Sequence, residues 1–364
     1  MKVSILVPDL RGGGAERVNV VLARELCARG VDVELIVLQL SGSLIEILPA
    51  NIKVVELGAS RIRDAVLPLT RYLRRERPDA LLAAMWPLTI VAILARILAR
   101  TQTRVVVSEH STLSLTPVFR RFAHRWIIPW TIRLFYPKAD AVIAVSNGVA
   151  QDLMQLGNLP EHSIHVVYNP ANPDASDMAS SNPDFTYWKR PEAAKVIAIG
   201  SLKPQKDYPT LLRAIYLLRK VRAVELLILG EGAERVNIEN LVSELDLSDV
   251  VHLPGFVISP IPYLKSADLF VLASAWEGFG NVIVEALACG IPVVSTDCRS
   301  GPSEVLDNGK YGRLVDVRNP EALAEGMNQM LEHPPERRRL VERANEFGAD
   351  RAARHYYALL RGDQ

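Results

Sequence analysis

The chain has 364 residues, of which 49% are hydrophobic and 23% are charged, and this predicts two folded domains without long disordered stretches. Lys and Arg number 42 against 41 Asp and Glu, so the net charge of +1 gives no support to nucleic-acid binding. Three cysteines without CxxC spacing indicate reduced thiols in a cytoplasmic protein rather than a disulfide framework or a zinc site.

The first half of the chain alternates between unbroken apolar runs and segments of helical periodicity such as residues 15–29 and 62–76. Residues 1–10 are too short for a signal peptide, and residues 80–95 are interrupted by Pro87 and too short to span a membrane. Apolar runs of this kind are typical of parallel strands covered on both faces, so we predict a doubly wound α/β domain over residues 1–170. The predicted strands are residues 3–7, 33–38, 80–84, 105–107 and 141–145.

Proline and serine are frequent over residues 171–191, which predicts a linker between domains. The alternation then restarts and predicts a second α/β domain over residues 192–347. The cleft between the strand carboxyl ends of two such domains is the expected ligand site. Strands are expected at residues 196–199, 225–229, 250–253, 269–272 and 292–295.

A glycine-rich turn, residues 12–14, lies between the first strand and the first helix. Such a turn lets backbone N–H groups approach an anion, although it could equally serve only helix packing. Arg17 stands where a GxGxxG motif would have its third glycine, and Gln39 replaces the acidic residue that holds a nicotinamide ribose. The pattern therefore disfavours an NAD enzyme, and the turns at residues 200–202 and 230–232 are weak signals by themselves.

The most specific constellation is the segment 277–285, which follows a predicted strand and leads into a helix beginning near Asn281. Asn281 and Glu285 are four residues apart and lie on one helix face, on the side expected to point toward the cleft with Glu277. A single glutamate could merely complement the helix dipole, but that does not explain two glutamates with flexible glycines between them.

This segment resembles the E-x7-E signature of the family 4 retaining glycosyltransferases, which have the GT-B fold of two facing Rossmann-like domains. The chain looks closest to the bacterial branch that adds sugars, often N-acetylhexosamines, to lipopolysaccharide, capsule or lipid-linked oligosaccharide. Other segments in the family's order are residues 13–18, 108–111, 145–149, 168–170, 204–207 and 230–232.

The resemblance implies a nucleotide-sugar donor, with UDP favoured, a glycan or lipid-linked acceptor, and neither cofactor nor metal. The resemblance implies catalytic roles for His110, which would contact the donor sugar and its anomeric centre, and for Glu277, which would bind the sugar hydroxyls. Lys206 would hold the diphosphate and Glu285 the ribose. The remaining donor-binding residues would be Ser201, Lys203, Gly278, Phe279, Gly280 and Asn281, and the acceptor and diphosphate side would include Gly13, Gly14 and Glu16.

The chain departs from the family at Ser201, where an arginine usually pairs with the lysine on the diphosphate. Lys203 is a candidate substitute, although an ammonium lacks the bidentate fork of a guanidinium. There is no D-x-D string for a metal ion. The family transfers the sugar with retention of its anomeric configuration, and the resemblance implies the same for this chain. Because no nucleophile is evident, we expect a front-face displacement through an ion pair.

The resemblance also implies that a last helix, about residues 348–364 and preceded by a helix over 335–347, crosses back onto the first domain. The alternative is that it packs on the second domain alone. Two other functions stay open: a nucleotide-sugar 2-epimerase of similar architecture, which is not expected to carry the two glutamates, and a catalytically silent nucleotide-sugar-binding subunit.

Residues 118–138 combine five cations with many aromatic and aliphatic side chains and contain no Asp or Glu. This pattern predicts a helical segment, interrupted or kinked at Pro129, that binds an anionic membrane surface and thereby makes the protein peripheral to the cytoplasmic membrane. The alternative is a buried core helix whose arginines cap neighbouring helices.

Overall fold

The computed structural model describes residues 1–171, 173 and 187–363. The chain divides into two compact units, one made of Met1–Pro170 with Ala349–Gln364 and the other of Ala171–Gly348. Most of the expected linker, residues 172 and 174–186, lies outside the described residues.

The first unit is built on a seven-stranded parallel sheet. Its strands are β1 Lys2–Val7, β2 Asp32–Val37, β3 Lys53–Glu56, β4 Ala80–Ala84, β5 Arg104–Glu109, β6 Ala141–Ala144 and β7 Ile164–Val166. They lie in the order β3-β2-β1-β4-β5-β6-β7. All five predicted strands are confirmed. The sequence pattern missed the two outermost strands, β3 and β7, because they are short and half exposed and so lack an unbroken apolar run.

Helices cover both faces of this sheet. The helix expected over residues 62–76 begins with a short 3-10 turn, Ile62–Ala65, and becomes α-helical only at Val66. The C-terminal helix packs here, since Tyr356 and Leu360 join the core and Arg104 Nε donates to the Leu359 carbonyl at 2.8 Å. The α-helices are Gly14–Ala28, Val66–Glu76, Leu88–Ala99, His124–Phe135, Asn147–Gly157 and Ala349–Arg361.

The second unit contains a six-stranded parallel sheet. Its strands are β8 Ala194–Ile199, β9 Val224–Leu229, β10 Val251–Gly255, β11 Leu269–Leu272, β12 Val293–Thr296 and β13 Arg313–Val315. They lie in the order β10-β9-β8-β11-β12-β13. The five predicted strands are again present, and the edge strand β13 was missed because it has three residues and begins with an exposed arginine. The helices are Tyr208–Leu218, Arg235–Glu244, Ile261–Lys265, Asn281–Ala288, Pro302–Val305, Pro320–Glu332 and Arg337–Asn345.

Both sheets are doubly wound, as predicted. In each, the strand order reverses between the first and fourth strands of the unit, at β1 and β4 and at β8 and β11. Loops at the carboxyl ends of strands flanking such a reversal line the usual ligand site of an open α/β sheet. Among the described residues, no helix is both long enough and apolar enough to cross a bilayer, and the apolar stretch near residue 90 forms β4 and a separate helix.

Candidate functional site

The reversal point of the second unit brings together two of the predicted residues. One loop follows β8 and ends in the turn Pro204–Lys206, and the other follows β11 and contains Glu277. Lys206 Nζ lies 2.6 Å from Glu277 Oε1, and only 14% and 8% of the two side chains are exposed. The two residues are 71 positions apart in sequence and meet because their strands are neighbours in the sheet.

Further hydrogen bonds fix the Glu277 carboxylate. Ser274 Oγ donates to its Oε1 at 2.7 Å, and Gln205 Nε2 lies 3.4 Å from its Oε2. The Gln205 amide also donates to the Trp276 carbonyl at 2.9 Å and so ties the two loops together. Ser274 and Gln205 are not among the site residues expected from the sequence, although both lie within three residues of one that is.

Glycines allow the loops to approach closely. A Cβ at Gly200 would lie 2.7 Å from Lys206 Cε, so a side chain there would displace the lysine. Gly280 has a φ of +89°, which a glycine adopts without strain, and it is the N-cap of the helix that begins at Asn281. The neighbouring Gly278 is buried, and the buried Phe279 ring packs edge-on against Phe347 at 5.4 Å between centroids.

Further polar residues lie in the turn after β8 and in the helix that follows the Glu277 loop. Asn281 and Glu285 occupy the first and fifth positions of their helix, on one face, and both are partly exposed. Ser201 and Lys203 lie exposed in the turn after β8, where the Lys203 N–H donates to the Ser201 carbonyl at 2.8 Å. Lysine ammonium groups and a helix N-terminus can neutralise an anion, and carboxylates can accept hydrogen bonds from hydroxyls.

The other predicted residues belong to the first unit. His110 follows β5 directly, and its Nε2 lies 3.1 Å from Ser108 Oγ. Its Nδ1 is buried and has no hydrogen-bond partner among the described residues. Burial lowers the pKa of His110 to about 4, so the ring is neutral at physiological pH and can accept or donate a proton without carrying a standing charge.

The glycine turn of the first unit lies at the same edge of the sheet as His110, with β4 between their strands. Gly13 is the N-cap of the helix Gly14–Ala28, and the Arg17 N–H donates to its carbonyl at 3.0 Å. The Glu16 carboxylate folds back over this turn, since a Cβ at Gly13 would lie 2.2 Å from Glu16 Oε2. Gly13 and Gly14 are exposed and their backbone is accessible to a ligand.

Glu109, immediately before His110, is a buried residue to which the sequence analysis gave no individual role. Its carboxylate accepts hydrogen bonds from the Tyr136 hydroxyl, from the Trp86 N–H at 3.2 Å and from Thr89 Oγ1 at 3.4 Å. Burial raises the pKa of Glu109 to about 7, despite the opposing effect of these hydrogen bonds. A short polar network therefore supports the end of the strand that carries His110.

Glu109 should give the folding free energy a measurable pH dependence. Between about pH 4.5 and 7 the folded chain holds a proton on Glu109 that the unfolded chain has lost, so this residue's contribution to stability falls as the pH rises. From pH 5 to pH 8 the parent should lose up to roughly 3 kcal/mol of unfolding free energy relative to Glu109→Gln, whose carbonyl can still accept from Tyr136.

Denaturant unfolding of both proteins at several pH values measures this difference. His110 acts in the opposite direction, since its lowered pKa makes stability rise between about pH 4 and 6.5, but it is present in both proteins and cancels. Parallel curves for the parent and the variant would show that Glu109 titrates in the folded chain as it does in the unfolded one.

No group of three or more His, Cys, Asp or Glu side chains in the described part of the chain is placed to hold a metal ion. The expectation of metal-free chemistry remains a prediction. If no metal takes part, Lys206, Lys203 and the helix N-terminus at Asn281 are the groups of this unit that would neutralise an anionic ligand.

Family models match both halves of the chain. The model for glycosyltransferase family 4 matches residues 12–175, and that for glycosyl transferases group 1 matches residues 185–347. The chain is 31% identical over 276 residues to the N-acetylgalactosamine-N,N'-diacetylbacillosaminyl-diphospho-undecaprenol 4-alpha-N-acetylgalactosaminyltransferase of Campylobacter jejuni, covering 75% of this chain and 73% of that protein. It is 28% identical to the lipopolysaccharide core biosynthesis glycosyltransferase LpsE of Rhizobium meliloti, covering 92% and 91%.

Solved structures share the architecture. Anabaena HepE, in a crystal structure with UDP and glucose, superposes with a TM-score of 0.80 at 21% identity over the full length of both chains. Sucrose-phosphate synthase from Thermosynechococcus elongatus gives a TM-score of 0.81 at 20% identity and covers 99% of this chain and 98% of that one. At this level of identity the likenesses show the fold alone, which is GT-B.

Proposed function

Because the chain belongs to glycosyltransferase family 4, we propose that it is a retaining hexosyltransferase that uses a nucleotide sugar. The donor is a UDP-linked sugar, most specifically UDP-N-acetylhexosamine, and the acceptor is a glycan or lipid-linked glycan of cell-surface polysaccharide. The observation that carries this proposal is the buried Lys206–Glu277 pair at the reversal point of the second sheet.

The chemistry requires opposite charges close together. As the bond from the anomeric carbon to the diphosphate oxygen breaks, negative charge grows on the leaving UDP and positive charge on the sugar ring. Lys206 stabilises the diphosphate, aided by the N-terminus of the helix starting at Asn281, while Glu277 holds the sugar hydroxyls and faces the developing cation. Glu285, on the same helix, accepts the ribose hydroxyls.

Transfer with retention proceeds on one face of the sugar. The acceptor hydroxyl forms its bond to the anomeric carbon on the side from which UDP departs, and its proton passes to a diphosphate oxygen. The neutral His110 belongs at the donor sugar and anomeric centre, where it can hold a hydroxyl without opposing the positive charge. Lys203 supplies a second cation in place of the arginine that Ser201 replaces.

The relatives favour this choice of donor and acceptor. The Campylobacter protein's name specifies an N-acetylgalactosaminyl group and a diphospho-undecaprenol acceptor, and LpsE is named for lipopolysaccharide core biosynthesis. HepE was crystallised with UDP and glucose. The N-acetylhexosamine of the proposal is supported by the Campylobacter name, the UDP by the HepE structure, and the lipid-linked or lipopolysaccharide acceptor by the names of the two sequence relatives.

Glycosyl transfer to water, a slow hydrolysis of the donor, needs no acceptor. It therefore tests the identity of the donor directly. Incubated with a panel of UDP- and GDP-sugars, the chain should release UDP from UDP-N-acetylglucosamine or UDP-N-acetylgalactosamine faster than nucleotide from any other donor. Turnover of GDP-mannose without turnover of UDP-sugars would contradict the donor assignment. Formation of an epimer would instead indicate the 2-epimerase, and binding without reaction would indicate the silent subunit.

A further inference from the structure

The helix His124–Phe135 of the first unit is apolar on two opposite faces. Its inner face, with Ile128 and Ile132, is fully buried in the unit. Trp126 and Trp130, four residues apart on another face, are 71% and 63% exposed, and Phe122 just before the helix is 87% exposed. A surface helix of a water-soluble domain ordinarily turns polar residues to solvent, so the exposed aromatic rings require another explanation.

The chain segment around these rings carries charge of one sign. No acidic residue occurs between residues 111 and 138. The segment contains the arginines Arg120, Arg121, Arg125 and Arg133. Their side chains form no hydrogen bond or ion pair with any residue that the structure describes, and Lys138 lies over the Phe135 ring. We call the exposed rings together with these cations the basic aromatic face. Its cations are Arg120, Arg121, Arg125, Arg133 and Lys138, all exposed.

We propose that the basic aromatic face docks the first unit on the surface of a bilayer that contains anionic lipid. Tryptophan rings partition into the headgroup layer, and exposed arginines bind lipid phosphates. A bilayer surface therefore offers favourable contacts to both kinds of side chain at once. The helix has 12 residues and is about 18 Å long, well short of the ~30 Å hydrocarbon core, so it lies on the membrane and does not cross it.

Docking by this helix would fix the position of His110 relative to the membrane. On the helix side that faces the unit, Thr131 Oγ1 accepts from Trp86 Nε1 at 3.1 Å, and the Tyr136 hydroxyl donates to Glu109. Glu109 is the last residue of β5 and is followed by His110. A lipid-linked acceptor would thus meet the chain beside a strand end that is anchored to the docked helix, a consequence that rests on the proposed function.

Two features of the structure decide against the alternative of a core helix. Its arginines do not cap neighbouring helices, because they are exposed and unpaired among the described residues. The helix also runs through Pro129, which rules out the interruption that was one of the two expected outcomes at that residue and keeps Trp126 and Trp130 on one face.

Liposome flotation of the full chain tests the docking independently of activity. The parent should float with vesicles of phosphatidylcholine containing about one third phosphatidylglycerol at low salt, and not with phosphatidylcholine alone. Replacing Arg120, Arg121 and Arg125 together by Glu should reduce the partition coefficient about 100-fold, from about 1 kcal/mol for each lost cation. Replacing Trp126 and Trp130 by Ser should also reduce it, including at high salt.

A matched control carries the same change of charge elsewhere. Arg337, Arg338 and Arg339 are exposed on a helix of the second unit, and their replacement by Glu should leave flotation as in the parent. The substituted side chains are exposed, and the control breaks only the exposed Arg338–Glu342 ion pair and the contact of Arg339 with the Tyr311 ring, so every variant should still unfold cooperatively in a thermal scan. The docking proposal is overturned if the parent does not float, if the control loses as much binding as the face variant, or if sedimentation shows a dimer that the tryptophan variant dissociates. Failure of flotation alongside normal UDP release would leave the proposed transferase activity standing.

Discussion

Glu277→Gln should lower turnover of the sugar donor about 10²- to 10³-fold, which is the usual loss when one preorganised electrostatic contact to a transition state is removed. Glutamine keeps the shape of the side chain, and its carbonyl can still accept from Ser274 and Lys206. The negative charge that faces the developing cation disappears, and UDP itself loses no partner. His110→Ala should have an effect of the same kind.

Steady-state kinetics together with calorimetric titration of UDP separate turnover from nucleotide affinity. UDP affinity should change by only a few-fold in both variants. Glu321→Gln is a suitable control, because that glutamate is an exposed residue in the first turn of another helix of the second unit. Activity of Glu277→Gln equal to that of the parent would remove the basis of the site assignment.

Lys206→Ala should weaken UDP binding by roughly 10- to 100-fold. A hydrogen bond to a charged group contributes about 1.5–3 kcal/mol, and each 1.4 kcal/mol corresponds to a tenfold change in affinity. Glu285→Ala should act in the same direction through the ribose hydroxyls, while Lys203→Ala should have a smaller effect because its side chain is exposed to solvent.

The Lys206 variant also leaves Glu277 buried without its cation, so stability must be measured alongside binding. Lys206→Met combined with Glu277→Gln removes both charges and restores a neutral interior, and it should recover thermal stability without recovering UDP affinity. Lys220→Ala, an exposed lysine that lies over Tyr216, should match the parent in titration. Unchanged UDP affinity in Lys206→Ala would place the diphosphate elsewhere.

The sequence was most informative where strands are buried on both sides. All of the predicted strands are present, and the family membership and the architecture of two doubly wound parallel sheets are confirmed. The three missed strands, β3, β7 and β13, are all at sheet edges, where solvent exposure interrupts the apolar pattern. Edge strands of three or four residues leave too few side chains for periodicity to be recognised.

The polar contacts could not be predicted in the same way. The Lys206–Glu277 ion pair depends on β8 and β11 being neighbours, which is a property of strand order and not of local sequence. Glu109 looks in sequence like the polar end of a strand, and only the fold brings Tyr136, Trp86 and Thr89 around it. Pro129 suggested an interrupted or kinked helix, and the helix continues through that position, with Ile128 and Ile132 buried against the unit.

A time course of proton NMR spectra of an α-linked UDP-N-acetylhexosamine with the parent chain tests the proposed reaction most directly, because it identifies the sugar first released and its anomeric configuration. We expect UDP together with the α-anomer of free N-acetylhexosamine before mutarotation, at a rate reduced at least 100-fold in Glu277→Gln. Appearance of the β-anomer first, or equal release by the parent and Glu277→Gln, would contradict it.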